Sequence, residues 1–120
     1  MAKINTKMKY DSEEDILSLS KNIKVEASID VGDFIVDIDH KGFVVGIEIL
    51  NASQNIGMTE SQLTSLETAS MNVTYKPNYV YIVIFMKLKE KEKDIAIPLT
   101  LDLGHGSIKT EKTQFAMASY

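Results

Sequence analysis

The sequence predicts an α+β fold, in which one helix is inserted into a curved antiparallel β-sheet of six to seven strands and packs on it. Three observations support this fold class. Apolar and polar residues alternate with a period of two over several segments, turn residues separate these segments, and the period becomes helical after residue 53. With 120 residues, the chain (1–120) is long enough for a single domain with one modest core.

The first strands are predicted on either side of an acidic turn. The stretch "KYDSEEDILSL" places four carboxylates in five positions, between a short strand at residues 8–10 and an alternating apolar segment at residues 16–20. Residues 23–29 alternate between apolar and polar side chains, which predicts a third, half-buried strand. Gly32 suits the turn that follows.

A hairpin is predicted in "FIVDIDHKGFVVGIEIL". A four-residue loop at residues 39–42 would pair Ile38 with Phe43 and Val36 with Val45, which places both apolar sets on one face. The glycine that ends this loop suits a left-handed conformation, and the aspartate that begins it can accept hydrogen bonds from the amides of the turn.

A helix is predicted within residues 54–72. Thr59 and Gln62 have the spacing of a capping box, and Leu63 and Leu66 follow at helical spacing, so that we expect about three turns.

A second hairpin is predicted within residues 73–103, because strands at 79–89 and 94–103 flank the sequence "EKEK". Pro98 has no amide proton, which predicts that its strand lies at a sheet edge or at a bulge. The tail, residues 104–120, has no sustained period and is expected either to be loosely ordered or to dock through its apolar residues, Phe115 and Met117.

The strand at residues 79–86 is apolar on both faces. Four aliphatic residues occupy one face, and the other face carries Tyr79, Tyr81, Val83 and Phe85. Both faces therefore need cover, and one helix cannot supply it. The second face is expected to meet either another layer of this chain or a second copy of it, which makes these four residues candidates for a homodimer interface.

The N-terminal half resembles a small prokaryotic family of unknown function, over residues 8–53. The resemblance rests on a pattern of Tyr-Asp-x-x-x-Asp, Asp-x-Asp-x-x-Gly and Gly-Ile-Glu-Ile-Leu, followed by Ala-Ser. The matching positions are Tyr10, Asp11, Asp15, Asp37, Asp39, Gly42, Gly46, Ile47, Glu48, Ile49, Leu50, Ala52 and Ser53, while Asn51 replaces the usual Asp. The resemblance implies an antiparallel sheet and brings no activity with it.

Composition argues against several classes of function. Cysteine is absent, which excludes disulfides and thiolate metal sites. All 13 basic residues are lysine and the net charge is −4, so nucleic acid is not an expected partner. No apolar run approaches the roughly 20 residues of a membrane-spanning helix, and a cytoplasmic location is expected. No cofactor-binding motif occurs.

Five carboxylates are the remaining candidates for a site: Asp11, Asp15, Asp37, Asp39 and Glu48. The favoured interpretation is that Asp11, Asp15 and Asp39 bond backbone amides in turns and that a lysine from a neighbouring strand offsets the charges of Asp37 and Glu48; the alternative is an oxygen-ligand site for a divalent cation. His40 and His105 are expected in plain loops, and no catalytic residue is predicted. The predicted function is therefore a non-catalytic interaction or assembly module that acts as a homodimer, with a small-ligand or divalent-cation binder and a hydrolase of unknown type as alternatives.

Overall fold

The computed structural model describes residues 6–77, 79–88, 91–100 and 109–116. Over these residues the chain forms nine strands and two short helices. The strands are β1 (Lys7–Asp11), β2 (Ile16–Ser20), β3 (Ala27–Val31), β4 (Phe34–Ile38), β5 (Val44–Ile49), β6 (Thr68–Lys76), β7 (Tyr79–Leu88), β8 (Lys91–Thr100) and β9 (Lys109–Ala116). The helices, α1 (Ala52–Ile56) and α2 (Glu60–Thr64), lie between β5 and β6.

The strands form two antiparallel sheets. The first has the order β1-β2-β5-β4-β3 and the second the order β8-β7-β6-β9. The prediction of a mainly antiparallel sheet protein with a helical insertion is confirmed, but the strands do not form a single sheet of six to seven strands. Alternation shows which face of a strand is apolar and not which sheet the strand joins, so the pattern fits two facing sheets equally well.

The core lies between the two sheets. The first sheet contributes buried residues such as Leu19, Val36 and Ile47, and the second contributes Met71 and Ile82. The aliphatic face of β7 is buried in this core, so one of its two apolar faces is covered by the other sheet.

The hairpin of β4 and β5 contains a β-bulge that shifts the predicted register. Ile38 pairs with Val44 and Val36 pairs with Ile47, because Val45 is an extra residue that has no partner on β4. The predicted chemistry of the loop is confirmed: its glycine has φ +82°, and Asp39 Oδ1 accepts hydrogen bonds from two loop amides.

The strand predicted from residue 23 begins only at Ala27. The amide of Lys21 donates to Val45 O and that of Glu26 to Ile38 O, and the segment between them belongs to no sheet. Its apolar residues are consequently exposed, Ile23 by 42% and Val25 by 45%.

The helix predicted within residues 54–72 is wrong in its extent. The capping box is confirmed, since Gln62 N donates to Thr59 Oγ1 and Thr59 N donates to Gln62 Oε1. However, α2 has only five residues, and β6 begins at Thr68. Ala69 is buried as part of a period-two run that continues to Tyr75, and pairing with strands on both sides makes this run the centre of the second sheet.

A C-terminal hairpin of β7 and β8 is confirmed, with β8 at a sheet edge as Pro98 predicted. The predicted four-residue loop is wrong, because β8 begins at Lys91 and its first three residues, which belong to the "EKEK" sequence, pair with β7. Residues 109–116 of the predicted tail form β9, which pairs with β6 and buries Phe115. The expectations for residues 101–108 and for Met117 lie outside the described residues.

Within the described part of the chain, neither helix has the length or apolar character needed to cross a bilayer.

Candidate functional site

An exposed aromatic stripe crosses the outer face of the second sheet. Tyr81 is 37% exposed and Phe85 is 44% exposed, while Tyr79 and Val83 on the same face are half-buried. We call these four residues the outer stripe. The opposite face of β7 fills the core, where the first sheet covers it. Of the two faces that were expected to need cover, the outer stripe is the one that the described part of the chain leaves partly exposed.

The neighbours of the outer stripe make it stand above the sheet. On β6, the residues paired with Phe85, Val83 and Tyr81 are Ser70, Asn72 and Thr74, which are short and polar. The rings of Tyr79 and Tyr81 stack with their centroids 6.4 Å apart, and Lys76 Nζ lies 5.8 Å from the centroid of the Tyr79 ring. The result is an apolar ridge with a polar flank.

Asn72 adds an unusual polar atom to this face. Its Oδ1 is buried and accepts no hydrogen bond from any described residue. An unsatisfied buried acceptor costs about 1–3 kcal/mol.

The acidic turn is built from two aspartates with different tasks. Asp11 Oδ1 accepts hydrogen bonds from the amides of Glu13 and Glu14 at 3.0 and 3.1 Å, as a turn-capping residue does. Asp15, which has φ +57°, reaches across the fold to the start of α1, where its carboxylate accepts hydrogen bonds from both the amide and the hydroxyl of Ser53. Asp15 thereby caps a helix 38 residues away.

Tyr10 completes this polar cluster. Its hydroxyl donates to Asp15 Oδ1 at 2.6 Å. Burial acts to raise the pKa of the Asp15 carboxyl, but the hydrogen bonds from Tyr10 and Ser53 together hold that pKa below its ordinary value. Burial, followed by the hydrogen bond to Asp15, raises the pKa of Tyr10, so the phenol keeps its proton.

The other candidate carboxylates do not join this cluster. Asp37 accepts a hydrogen bond from Ser28 Oγ at 2.6 Å, Asp39 is occupied by loop amides, and Glu48 lies opposite Ile35 in the sheet. In the described part of the chain, no three His, Asp or Glu side chains come close enough to hold a metal ion. His40 lies exposed in the hairpin loop, and His105 lies outside the described residues.

A partly buried ion pair joins the segment after β2 to β9, two parts of the chain for which the sequence predicted no site. Lys21 Nζ is 3.6 Å from Glu111 Oε1, and this oxygen also accepts a hydrogen bond from the Tyr75 hydroxyl at 2.8 Å. The same hydroxyl accepts a hydrogen bond from the buried Val44 amide at the bulge, so Tyr75 links the two sheets. Burial raises the pKa of Tyr75; the bond from Val44 opposes this rise and Glu111 adds to it.

A cavity of about 380 Å³ opens beside this ion pair. It is bounded by the segment after β2, the β4–β5 hairpin and β9. The lining residues are Lys21, Ile23, Asp39, Phe43, Val45, Glu111, Lys112 and Thr113. Their sequence separation explains why no local motif indicated this cavity.

Residues 7–53 match the family described as protein of unknown function (DUF2283). This confirms the resemblance of residues 8–53. The chain is also similar to uncharacterized protein MJ0789 of Methanocaldococcus jannaschii, with 42% identity over 52 residues, which cover 42% of this chain and 45% of that protein. The chain thus matches less than half of its relative's length. No solved structure gives a significant match.

The DUF2283 segment coincides with a structural unit. It begins with β1, contains the whole first sheet, and ends at Ser53, the residue that donates to Asp15. Tyr10, Asp15 and Ser53, which the sequence pattern singled out, therefore meet in one cluster that fixes α1 to the β1–β2 turn. Their contacts give these residues a structural task.

Proposed function

We propose that the protein is a non-catalytic interaction module that pairs with a second copy of itself through the outer stripe. The observation that carries the proposal is the exposure of Tyr81 and Phe85 on a strand whose other face is buried. Aromatic side chains gain much from burial, about 25 cal/mol per Å² of apolar surface, so contact with a second apolar surface is favourable.

The size of the face sets the expected strength of pairing. Four strands spaced about 4.8 Å apart, with about eight residues each at 3.4 Å, present roughly 500 Å². Stable complexes bury about 800 Å² per partner, and weak, transient ones bury less than about 600 Å². The proposed dimer is therefore reversible, and it forms at micromolar or higher concentration.

The distribution of charge favours pairing with an identical copy. Lys76 and Lys112 are exposed on the outer face of β6 and β9, whereas the β8 positions paired with Lys87 and Phe85 are Glu92 and Asp94. A two-fold rotation about an axis parallel to the strands, with the outer faces stacked, sets the β8 edge of one copy over the β9 edge of its partner. The strand that carries Lys112 then lies over the partner's strand that carries Glu92 and Asp94, which supports this two-fold arrangement.

The experiment is sedimentation equilibrium over a concentration series, with circular dichroism to verify the fold. Wild-type protein should shift from the monomer to twice the chain mass as concentration rises. Tyr81→Lys and Phe85→Lys should remain monomeric, because each places a charge in the apolar contact.

Gln54→Lys provides the matched control, because it adds the same charge at an exposed position of α1. It should dimerise like the wild type. A wild-type protein that stays monomeric at millimolar concentration would refute the proposal, and so would folded Tyr81 and Phe85 variants that dimerise normally.

A further inference from the structure

The cavity beside Lys21 has the features of a small-molecule site, and none of the four residues of the outer stripe lines it. Its volume, about 380 Å³, is at the lower end of the range of about 300–1,000 Å³ that is usual for ligand pockets. Three separate segments converge on it, so that charged and apolar side chains meet on its walls.

Lys21 is the central feature of this cavity. Its side chain is only 9% exposed, and its ammonium group has an ion pair at 3.6 Å with Glu111 but no hydrogen bond to any described residue. An ammonium group carries three donors, and the ion pair does not use them in hydrogen bonds. The geometry therefore leaves donor capacity at the cavity wall.

The acidic residues of the cavity are more fully engaged. Asp39 Oδ1 accepts hydrogen bonds from the amides of Lys41 and Phe43, both at 2.9 Å, and Glu111 Oε1 accepts from the Tyr75 hydroxyl. Lys112 also lines the cavity, but its exposed side chain belongs to the outer face of β9, so Lys21 is the donor that the cavity offers. The cavity thus offers donors to an incoming group, which favours an oxyanion.

The rest of the cavity is apolar. Phe43 and Val45 line its inner wall, and Ile23 lines its mouth although 42% of Ile23 is exposed. Because removing the exposed isoleucine side chain from water is favourable, the mouth of the cavity favours a ligand with an aliphatic or aromatic group.

We propose that this cavity binds a small monocarboxylate with an apolar body. The carboxylate accepts hydrogen bonds from the ammonium group of Lys21, and the apolar body lies against Ile23 and Phe43. The structure thereby gives the protein a ligand site that is separate from the outer stripe.

Hexanoate is a suitable probe, with hexanol as its uncharged counterpart. Titration of the ¹⁵N-labelled full chain should produce saturable amide shifts at residues 21–23, 43–45 and 111–113. Lys21→Met should weaken hexanoate binding by about tenfold or more, as the loss of a hydrogen bond to a charged group predicts. Hexanol should bind the wild type at least about tenfold more weakly than hexanoate for the same reason.

Lys24→Met is the matched control, because Lys24 is an exposed lysine that does not line the cavity, and it should leave the affinity unchanged. Ile23→Ser, at the exposed mouth, provides a second test that leaves the ion pair intact, and it should weaken hexanoate binding several-fold. The proposal is overturned if no saturable shifts occur at these amides, if hexanol binds as well as hexanoate, or if folded Lys21 and Ile23 variants both retain wild-type affinity.

Discussion

Asp15 shows how one side chain can connect two distant parts of the chain. α1 begins after Asn51, whose own side chain makes no capping hydrogen bond, and the first-turn amide of Ser53 is satisfied by Asp15 instead. Helix N-termini favour negative charge, so the carboxylate stabilises both this amide and the end of the helix. Tyr10 then holds the carboxylate in place.

Asp15→Asn should destabilise the fold by about 1–2 kcal/mol, because it replaces charge-assisted hydrogen bonds with neutral ones. Asparagine tolerates positive φ, so the substitution adds little backbone strain. Urea denaturation at neutral pH would measure the loss. Asp11→Asn, which changes a solvent-exposed turn cap, should cost less, and equal costs for the two variants would contradict the assigned roles.

The stability conferred by Asp15 should also depend on pH. Its pKa is lower in the folded protein than the ordinary 3.8, so its contribution is fully present above pH 3.8 and is lost as the pH falls through the lower, folded value. The difference in unfolding free energy between wild type and Asp15→Asn should therefore be constant near neutral pH and shrink below pH 3.8. A difference that grows on acidification would have the wrong sign.

Tyr75 is the second residue that ties the sheets together. Tyr75→Phe removes the hydrogen bond that the hydroxyl accepts from the buried Val44 amide and the one that it donates to Glu111. We expect a loss of about 2 kcal/mol in the free energy of unfolding, because a buried donor and a charged acceptor each lose a partner. Tyr81→Phe, which removes an exposed hydroxyl, should change stability by less than about 0.5 kcal/mol. Equal effects in dilute solution would show that the Tyr75 hydroxyl contributes no more than a surface group.

At the scale of the elements, the first sheet depends on close contact between β2, β5 and β4. A Cβ atom at Gly46 would lie 3.0 Å from Asp37 Oδ2 and 3.1 Å from the backbone oxygen of Leu19. Glycine therefore allows Asp37 to lie across β5 while it accepts the hydrogen bond from Ser28 on β3.

Gly46→Ala should destabilise the protein by about 1–3 kcal/mol, since the added methyl group forces side chain and backbone apart. In a double-mutant cycle, Asp37→Ala should recover part of this cost, because it removes one of the two close contacts and leaves the one with Leu19. Denaturant midpoints of the four proteins give the coupling. Strict additivity would mean that Asp37 is not the obstacle.

Local features of these elements were predictable from the sequence. The loop aspartate and glycine of the β4–β5 hairpin, the Thr59–Gln62 capping box and the edge position of Pro98 each depend on residues that are close together in the chain or on the chemistry of one residue. The register of the hairpin was not predictable in the same way. Val45 is apolar whether it is paired or bulged, so the pattern alone does not reveal the extra residue.

The elements that depend on tertiary contacts were mispredicted. β6 begins in a stretch that fits a helical period, and pairing with both β7 and β9 determines its conformation. β9 was missed because most of its side chains are polar, and Phe115 is its largest buried one. The two polar sites could not be predicted for the same reason. Asp15 and Ser53 are 38 residues apart, and the cavity brings Lys21 close to Glu111, so neither site has a local sequence motif.

At the scale of the molecule, the two sheets depend on each other. The inner face of the first sheet is covered by β6, β7 and β9, and residues of both sheets belong to one buried cluster. The DUF2283 segment supplies only one of these layers. A sheet with a bare apolar face is unstable in water, so this segment needs a cover wherever it folds.

Expressed alone, residues 6–57, which hold β1–β5 and α1, should therefore fail to fold as a monomer. The fragment is shorter than the roughly 60 residues at which small domains become marginal, and Leu19, Val36 and Ile47 would lose their cover. Thermal melting by circular dichroism and the dispersion of amide resonances would test this, with the full chain as the reference. A fragment that folds only as a dimer would agree with the need for cover, because the second copy replaces the missing sheet. A monomeric fragment that unfolds cooperatively would show that the first sheet buries its apolar face unaided, and would contradict the view of the core as a product of both layers.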